Sequence, residues 1–223
     1  MKAMILAAGR GERMRPLTDH TPKPLLRAGG RVLIEYHIDN LVRAGITDIV
    51  VNHAHLGAQI EATLGDGDRY GARLVYSPEP DGALETGGGI HRALPWLGEG
   101  PFLVVNGDIW TDLEYATLPA DFAGLGRLVL VDNPPHHPDG DFCLIDGQLS
   151  ECHGPRLTFS GIGLYRAALF ADCAPGRFPL APLLRQAMAR GQVTGQHYRG
   201  HWSDIGTPQR LNELDRMLLG GSA

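Results

Sequence analysis

The sequence predicts an α/β domain: a doubly wound, mostly parallel sheet covered by helices on both faces, with a smaller and less regular part in the second half. Three observations carry this. Apolar runs of strand length, rich in Val, Ile and Leu, recur at "AMILAA" from Ala3, "DIVVN" from Asp48, "RLVYS" from Arg73, "PFLVVN" from Pro101 and "RLVLVD" from Arg127. Between them stand segments with helical spacing, "LIEYHIDNLVRAG" ending at Gly45, "AQIEATLG" ending at Gly65 and "ETGGGIHRALPWL" ending at Leu97. Glycine-rich connections follow the runs at Ala3 and Arg73, and sheets of this class bind ligands beyond the carboxyl ends of their strands.

From the amino terminus, "MKAMILAAGRGERM" holds an apolar run of only about half a dozen residues before a charged loop, which suits a first strand and not a secretory leader. The loop, "LAAGRGERMRPLTDHTPKPLL" from Leu6, gathers glycines, arginines, prolines and Lys23 just past that strand. Gly9 and Gly11 free the backbone to bring N–H groups against a ligand, and Arg13, Arg15 and Lys23 suit a dense anion such as a polyphosphate. Pro22 and Pro24 stiffen the chain around Lys23 and hold its amine near one place. A tight turn on a charged surface is the competing reading. A Walker A loop is excluded because no Lys-Ser or Lys-Thr pair follows, and a dinucleotide fingerprint because Met14 stands where a third glycine belongs.

Further along, "SPEPDGALETGGG" from Ser77 joins a strand to a helix that opens with Gly87, Gly88 and Gly89. Each glycine costs a helix roughly 1 kcal/mol, so a ligand or a packed strand is expected to come very near. Asp108 in "VVNGDIW" follows the run from Phe102 to Val105 and so stands at the carboxyl edge of a central strand, as a Mg²⁺ ligand or as a cap of the next helix. Asp204 in "HWSDIGTP" has the same two readings. His136 and His137 in "NPPHHPDG" read as a surface turn, with 133–140 as a mobile flap. In the second half, "DFCLIDGQLSEC" is a hairpin turning at Asp146-Gly147, "LTFSGIGLY" a strand, and "APLLRQAMARG" a helix. "HWSDIGTPQRLNELDRMLL" gives a short strand, a turn, and an amphipathic helix opened by Thr207-Pro208. Glu151, after the hairpin, holds a sugar hydroxyl or is an exposed strand carboxylate.

The 223 residues suit one domain, and their 43% apolar and 20% charged content is ordinary for a soluble one. No stretch approaches the roughly 18 apolar residues of a membrane helix. The net charge of -5 argues against a general nucleic-acid surface and leaves room for a local basic pocket. Cys143, Cys152 and Cys173 show no C-x-x-C spacing, so neither a disulfide framework nor a zinc site is expected, and a reducing cytoplasm fits.

"LAAGRGERMRPLTDHTPKPLL" closely resembles the signature of the sugar-1-phosphate nucleotidyltransferases, L-A-A-G-x-G-x-R-[ML]-x-P-L-T followed by P-K-P-[LM]. The resemblance continues through "PDGALETGGG", "VVNGDIW", "FSGIGLY" and "WSDIGTPQRL", and so spans nearly the whole chain. It implies the family's Rossmann-like nucleotidyltransferase fold, with 1–110 as a nucleotide-binding part and 111–223 as a sugar-phosphate-binding part and C-terminal helix. It implies that Gly9, Gly11 and Arg15 wrap a triphosphate, within a nucleotide site that also takes in Ala8, Glu12, Arg13, Met14 and Asn106. Lys23 then contacts the reacting phosphates, so that Lys23, Arg15 and Asp108 are the catalytic set. Asp108 and Asp204 match the family's Mg²⁺ aspartates, Ser77 and Gly82 its base-reading positions, and Glu151 and Gly161 its sugar contacts.

The implied partners are a nucleoside triphosphate and a sugar 1-phosphate, with neither nucleic acid nor membrane. Two departures stand out. Cys152 and His153 follow Glu151 where many members carry a Lys, and Ser77 stands where many thymidylyl enzymes carry a Gln. The stretches "PDGALETGGGI" and "GPRLTFSGIGLY" most resemble the uridylyl-transferring members of cell-wall recycling; guanylyltransferases of mannose 1-phosphate are the competing members, and a non-catalytic nucleotide-sugar-binding regulatory domain is disfavoured because Lys23, Asp108 and Asp204 are all present.

Overall fold

A computed structural model of the chain describes residues 1–79, 82–151 and 154–220. In chain order it contains β1 (Lys2–Leu6), β2 (Arg27–Ala28), β3 (Arg31–Val32), α1 (Leu33–Arg43), β4 (Asp48–His53), α2 (Gly57–Leu64), β5 (Arg73–Pro78), α3 (Glu85–Leu97), β6 (Phe102–Asn106) and β7 (Ile109–Thr111). There follow β8 (Gly126–Val131), β9 (Cys143–Ile145), β10 (Gln148–Ser150), β11 (Thr158–Tyr165), α4 (Ala181–Ala189), β12 (Val193–His197), β13 (Trp202–Asp204) and α5 (Pro208–Gly220). Each strand and helix expected from the apolar runs is present. Nine strands form one sheet in the order β5-β4-β1-β6-β11-β8-β12-β10-β9.

The first half is the doubly wound part. β5, β4, β1 and β6 run parallel, and the chain leaves β1 toward β4 on one side, then returns to β6 on the other. That reversal opens a crevice at the carboxyl ends of β1 and β6, where the loop from Leu6 and the Asn106–Asp108 turn emerge. In the second half β11 lies antiparallel between β6 and β8, β12 runs parallel to β8, and the β9–β10 hairpin forms the edge. Asp146 and Gly147 turn that hairpin with φ of 50° and 78°, as expected of a two-residue turn.

Strand alternation assigns the two faces. Ala3, Ile5, Ile49, Val51, Leu103 and Val105 point toward Ile34, Ile38, Leu41, Ile60 and Leu64 of α1 and α2. Met4, Val50, Phe102, Val104, Leu128 and Leu130 point the other way, onto Ile90 and Ala93 of α3 and Leu184, Ala187 and Met188 of α4. A third cluster joins Met14, Leu26, Ala28 and Leu33 to Ile205, Leu211 and Leu214, so α5 buttresses the glycine-rich loop from behind. The side chain of Asp215 fixes this contact by accepting the Gly29 N–H at 2.8 Å.

Two expectations change, and one left open is decided. The 133–140 stretch, read as a mobile flap, is laced down: Asn133 Nδ2 donates to the carbonyls of Pro138 (2.9 Å) and Arg156 (3.0 Å), and Thr158 Oγ1 donates to Asn133 Oδ1 (2.9 Å). Cys143 is disulfide-bonded, contrary to the reading from cysteine spacing, because folding and not sequence spacing sets which thiols meet. Cys173 is free, and Cys152 and His153 lie outside the described residues. The close approach expected at the glycines of α3 is made by the chain itself. The Gly88 N–H donates to Phe178 O at 3.0 Å, the Phe178 N–H donates to Leu84 O at 3.1 Å, and a Cβ on Gly88 would collide with Gly176 O.

Candidate active site

The site begins where β1 ends. The Ala7 N–H donates to the Asn52 side chain at 2.9 Å, and the Gly107 N–H donates to Leu6 O at 2.8 Å, which ties the loop to β4 and to the turn after β6. Gly11 sits at φ 67°, where a Cβ would press on Thr18 Cγ2 at 3.0 Å and Lys23 Cβ at 3.3 Å. The loop therefore closes down onto Lys23, and Thr18 Oγ1 seals the closure by donating to Gly11 O at 2.8 Å. Over Gly9 there is open space, so its backbone faces the crevice.

Lys23, in a short turn flanked by Pro22 and Pro24, is only 7% exposed, and its Nζ meets Asp108 Oδ2 at 2.6 Å. A buried ammonium needs such a partner. Asp108 lies just past β6 with its carboxylate 43% exposed, leaving oxygen surface open to the crevice. No helix follows Asp108 and β7 starts at once, so the capping reading falls. The cleft, about 200 Å³, is lined by Ala8, Gly9 and Lys23 together with Glu79, Thr86, Asn106 and Asp108.

Glu79 and Asn52 escaped the sequence reading. Glu79 is 2% exposed, and its carboxylate accepts from Asn52 Nδ2 at 2.8 Å and from the Leu84 N–H at 2.7 Å. Asn52 in turn holds Ala7. One chain of hydrogen bonds thus locks together the glycine-rich loop, the end of β4 and the entrance to α3. A Cβ on Gly89 would stand 2.9 Å from both Asn52 Nδ2 and Glu79 Oε1, which explains the third glycine. The only sequence signal was a pair of polar residues at strand ends.

The remaining candidates are placed as follows. Arg15 is exposed and paired with Asp19 at 2.7 Å, and Glu12 and Arg13 lie on the surface. Met14 is fully buried in the cluster behind the loop, so it anchors the loop where the resemblance made it a nucleotide contact. Ser77 is fully buried, its hydroxyl without a hydrogen-bond partner among the described residues, and it does not line the cleft. Gly82, at φ 99°, donates its N–H to Glu79 O at 3.1 Å and is not among the residues lining the cleft; Pro80 and Asp81 lie outside the described residues. Gly161 occupies the β11 bulge at φ 81°, where a Cβ would sit 2.7 Å from the Asn106 amide nitrogen, so it borders the base of the cleft. Glu151 is exposed and paired with Arg185 of α4 at 2.8 Å.

The β7–β13 ribbon brings Asp204 beside Asp108: Asp204 pairs with Ile109, and the Ile205 N–H donates to Asp108 O at 2.7 Å. The Asp204 carboxylate meets Arg210 Nη1 at 2.6 Å and His136 Nε2 at 2.9 Å. Thr207, and not Asp204, caps α5, its Oγ1 accepting the Arg210 N–H at 3.3 Å. Among the described residues no three His, Cys, Asp or Glu side chains converge into a metal cage. Two carboxylates, one just before β7 and one at the end of β13, suit a hard cation that completes its shell with phosphate oxygens and water.

Behind the ribbon lies His37, also missed by sequence reasoning. Its Nε2 donates to Ile109 O at 2.9 Å, and its Nδ1 lies 2.9 Å from Tyr115 OH, which donates to it when the ring is neutral. Burial drives its pKa from 6.5 down to about 4, against smaller upward pulls from the Ile109 carbonyl and Asp108.

Comparison with known proteins identifies the family and the fold. The family described as nucleotidyl transferase matches residues 2–151. The chain is 54% identical to the N-acetylmuramate alpha-1-phosphate uridylyltransferase of Neisseria meningitidis serogroup B, over 97% of this chain and 98% of that protein. It is 37% identical to the enzyme of the same name from Caulobacter vibrioides, over 93% of this chain and 92% of that one. Among solved structures, the inositol-1-phosphate CTP transferase from T. maritima shares the fold with a TM-score of 0.79 at 18% identity, covering 100% of this chain and 97% of that one. The chain belongs to the nucleotidyl transferase family.

Proposed function

We propose that this protein joins UTP and N-acetylmuramate α-1-phosphate into UDP-N-acetylmuramate and pyrophosphate, a step of cell-wall recycling in the cytoplasm. The observation that carries the reading is the Lys23–Asp108 pair at 2.6 Å, set between a glycine-rich loop and the end of β6 at the crevice where the strand order reverses. The 54% identity across nearly the whole chain supports the choice of sugar and base.

An oxygen of the sugar phosphate attacks the α-phosphorus in line, forming an O–P bond as the bond to pyrophosphate breaks. That oxygen is already ionised, so no general base is needed. The protein positions two anions that repel each other and neutralises their charge. The open backbone at Gly9 cradles phosphate oxygens, and Lys23, held in place by its flanking prolines, presents its ammonium to them. Arg15 leaves Asp19 to add a second cation, a small cost because the pair is exposed. Asp108 and Asp204 would hold Mg²⁺, which when bound neutralises charge on the α-phosphoryl and the leaving group. Gly82 stands where the loop after β5 meets the base, while the buried Ser77 shapes that loop from beneath. Gly161 and Asn106 border the sugar side.

Pyrophosphate release with Mg²⁺ is the test, crossing UTP, dTTP, GTP, ATP and CTP against N-acetylmuramate, N-acetylglucosamine, glucose and mannose 1-phosphates. Release confined to UTP with N-acetylmuramate 1-phosphate is expected. Preference for GTP with mannose 1-phosphate would keep the mechanism and overturn the substrate.

A further inference from the structure

The proposed reaction requires a second phosphate group to approach the triphosphate, and the cations of the opening loop belong to the first. Glu151 is followed by Cys152 and His153 and by no lysine, so the partner of the attacking phosphate has to be sought in the fold. Among the described residues, Arg210 and His136 form a basic pair on Asp204.

Arg210 rises from the first turn of α5 with its side chain only 15% exposed. Its Nη1 lies 2.6 Å from Asp204 Oδ1 and 2.6 Å from His136 Nε2. His136 Nε2 is also 2.9 Å from Asp204 Oδ1, so one tautomer accepts from the guanidinium and the other donates to the carboxylate. The chain is built for this contact. A side chain at residue 206 would run into Arg210 Nη2 and press on Asp204 Oδ2 at 3.1 Å, and Gly206 leaves that room to the ion pair. The loop that presents His136 is held by Asn133 and by Asp141, whose Oδ2 accepts the Phe159 N–H at 2.8 Å.

A guanidinium this buried does not stay unpaired, because an uncompensated buried charge is strongly destabilising. Asp204 is its partner while that carboxylate is free of metal. Were Asp204 to hold a cation, Arg210 would be left without an anion, one strand pairing away from Asp108. Its planar fork matches a phosphate, and His136 adds a donor beside it. We propose that Arg210, supported by His136, binds the phosphate of the attacking sugar 1-phosphate, exchanging the Asp204 carboxylate for it. This rests on the nucleotidyl-transfer reading above. It assigns that role to two residues that lie 74 apart in sequence.

The test compares wild type with Arg210→Gln, Arg210→Lys and Gly206→Ala, the last of which keeps the charge and pushes the guanidinium aside. Steady-state KM is measured for UTP and for the sugar 1-phosphate, and binding of the sugar 1-phosphate is read directly by calorimetry with Mg²⁺ present. Thermal unfolding controls for loss of fold. Losing a charge-assisted contact weakens binding on the order of 30-fold, so Arg210→Gln should weaken sugar 1-phosphate by that factor and leave UTP within about twofold. Arg210→Lys and Gly206→Ala should fall between. Unchanged sugar 1-phosphate affinity in the three folded variants overturns the assignment. So does an equal loss for UTP, which would make Arg210 a support for Asp204 alone. A wild-type enzyme that forms no nucleotide sugar overturns the underlying reading and this one with it.

Discussion

The neutral, buried His37 makes the stability of this fold depend on pH in a calculable way. Its folded pKa of about 4 lies below the 6.5 of an unperturbed ring. Above pH 6.5 both folded and unfolded chains carry it neutral, and the shift costs nothing. As pH falls from 6.5 toward 4, the unfolded chain takes up a proton that the folded chain refuses, so the folded state loses stability across that window. Below about 4 the loss is complete. A gap of about 2.5 units corresponds to about 3 kcal/mol. Urea unfolding at pH 7 and pH 4.5 measures it, and His37→Gln supplies the control, since an amide keeps one donor and one acceptor and does not titrate. Carboxylates contribute a pH slope to both proteins, so the difference between slopes isolates the imidazole. Wild type should lose about 2–3 kcal/mol more than the variant between the two pH values. Equal slopes would refute the claim that His37 is held neutral by burial.

Other perturbations follow from the site. Lys23→Met should lower kcat on the order of 10²–10³-fold with the fold retained, because Asp108, 43% exposed, can be hydrated when its partner goes; kinetics alongside a melting curve checks both halves. Asn52→Ala strands the Ala7 N–H and Glu79, and should cost about 2 kcal/mol or more in urea unfolding while raising KM for UTP as the loop loosens. Gly88→Ala forces a methyl onto the Gly176 carbonyl and should destabilise by about 1–3 kcal/mol, although alanine is the better helix former; a rise in melting temperature would contradict the packing account.

Local signals made much of this readable in advance. β1, β4, β5 and β6 are short apolar runs with helices between them, and the reversal at β1 follows from packing such units on both faces. The loop from Leu6 announced itself by composition, and its two prolines do flank a buried Lys23. What stayed hidden depends on pairing across the chain. Asn52 and Glu79 are 27 residues apart, and each alone is an ordinary polar residue at a strand end. His37 sits on the buried stripe of α1, and its partners are 72 and 78 residues away. The glycines of α3 signalled a close approach correctly, but sequence alone could not say that the approaching atoms are those of Gly176 and Phe178 and not of a ligand. Met14 and Ser77 were assigned by their place in motifs, and burial gives Met14 a packing role and removes Ser77 from the cleft lining.

The most direct test of the central claim is turnover of UTP with N-acetylmuramate 1-phosphate by wild type and Asp108→Asn, read as pyrophosphate and nucleotide sugar formed. The substitution keeps an acceptor for Lys23 and removes the carboxylate charge. The account predicts equal amounts of the two products from wild type, and a loss of at least about 10²-fold in the variant with melting little changed. An Asp108→Asn protein that turns over like wild type would contradict it.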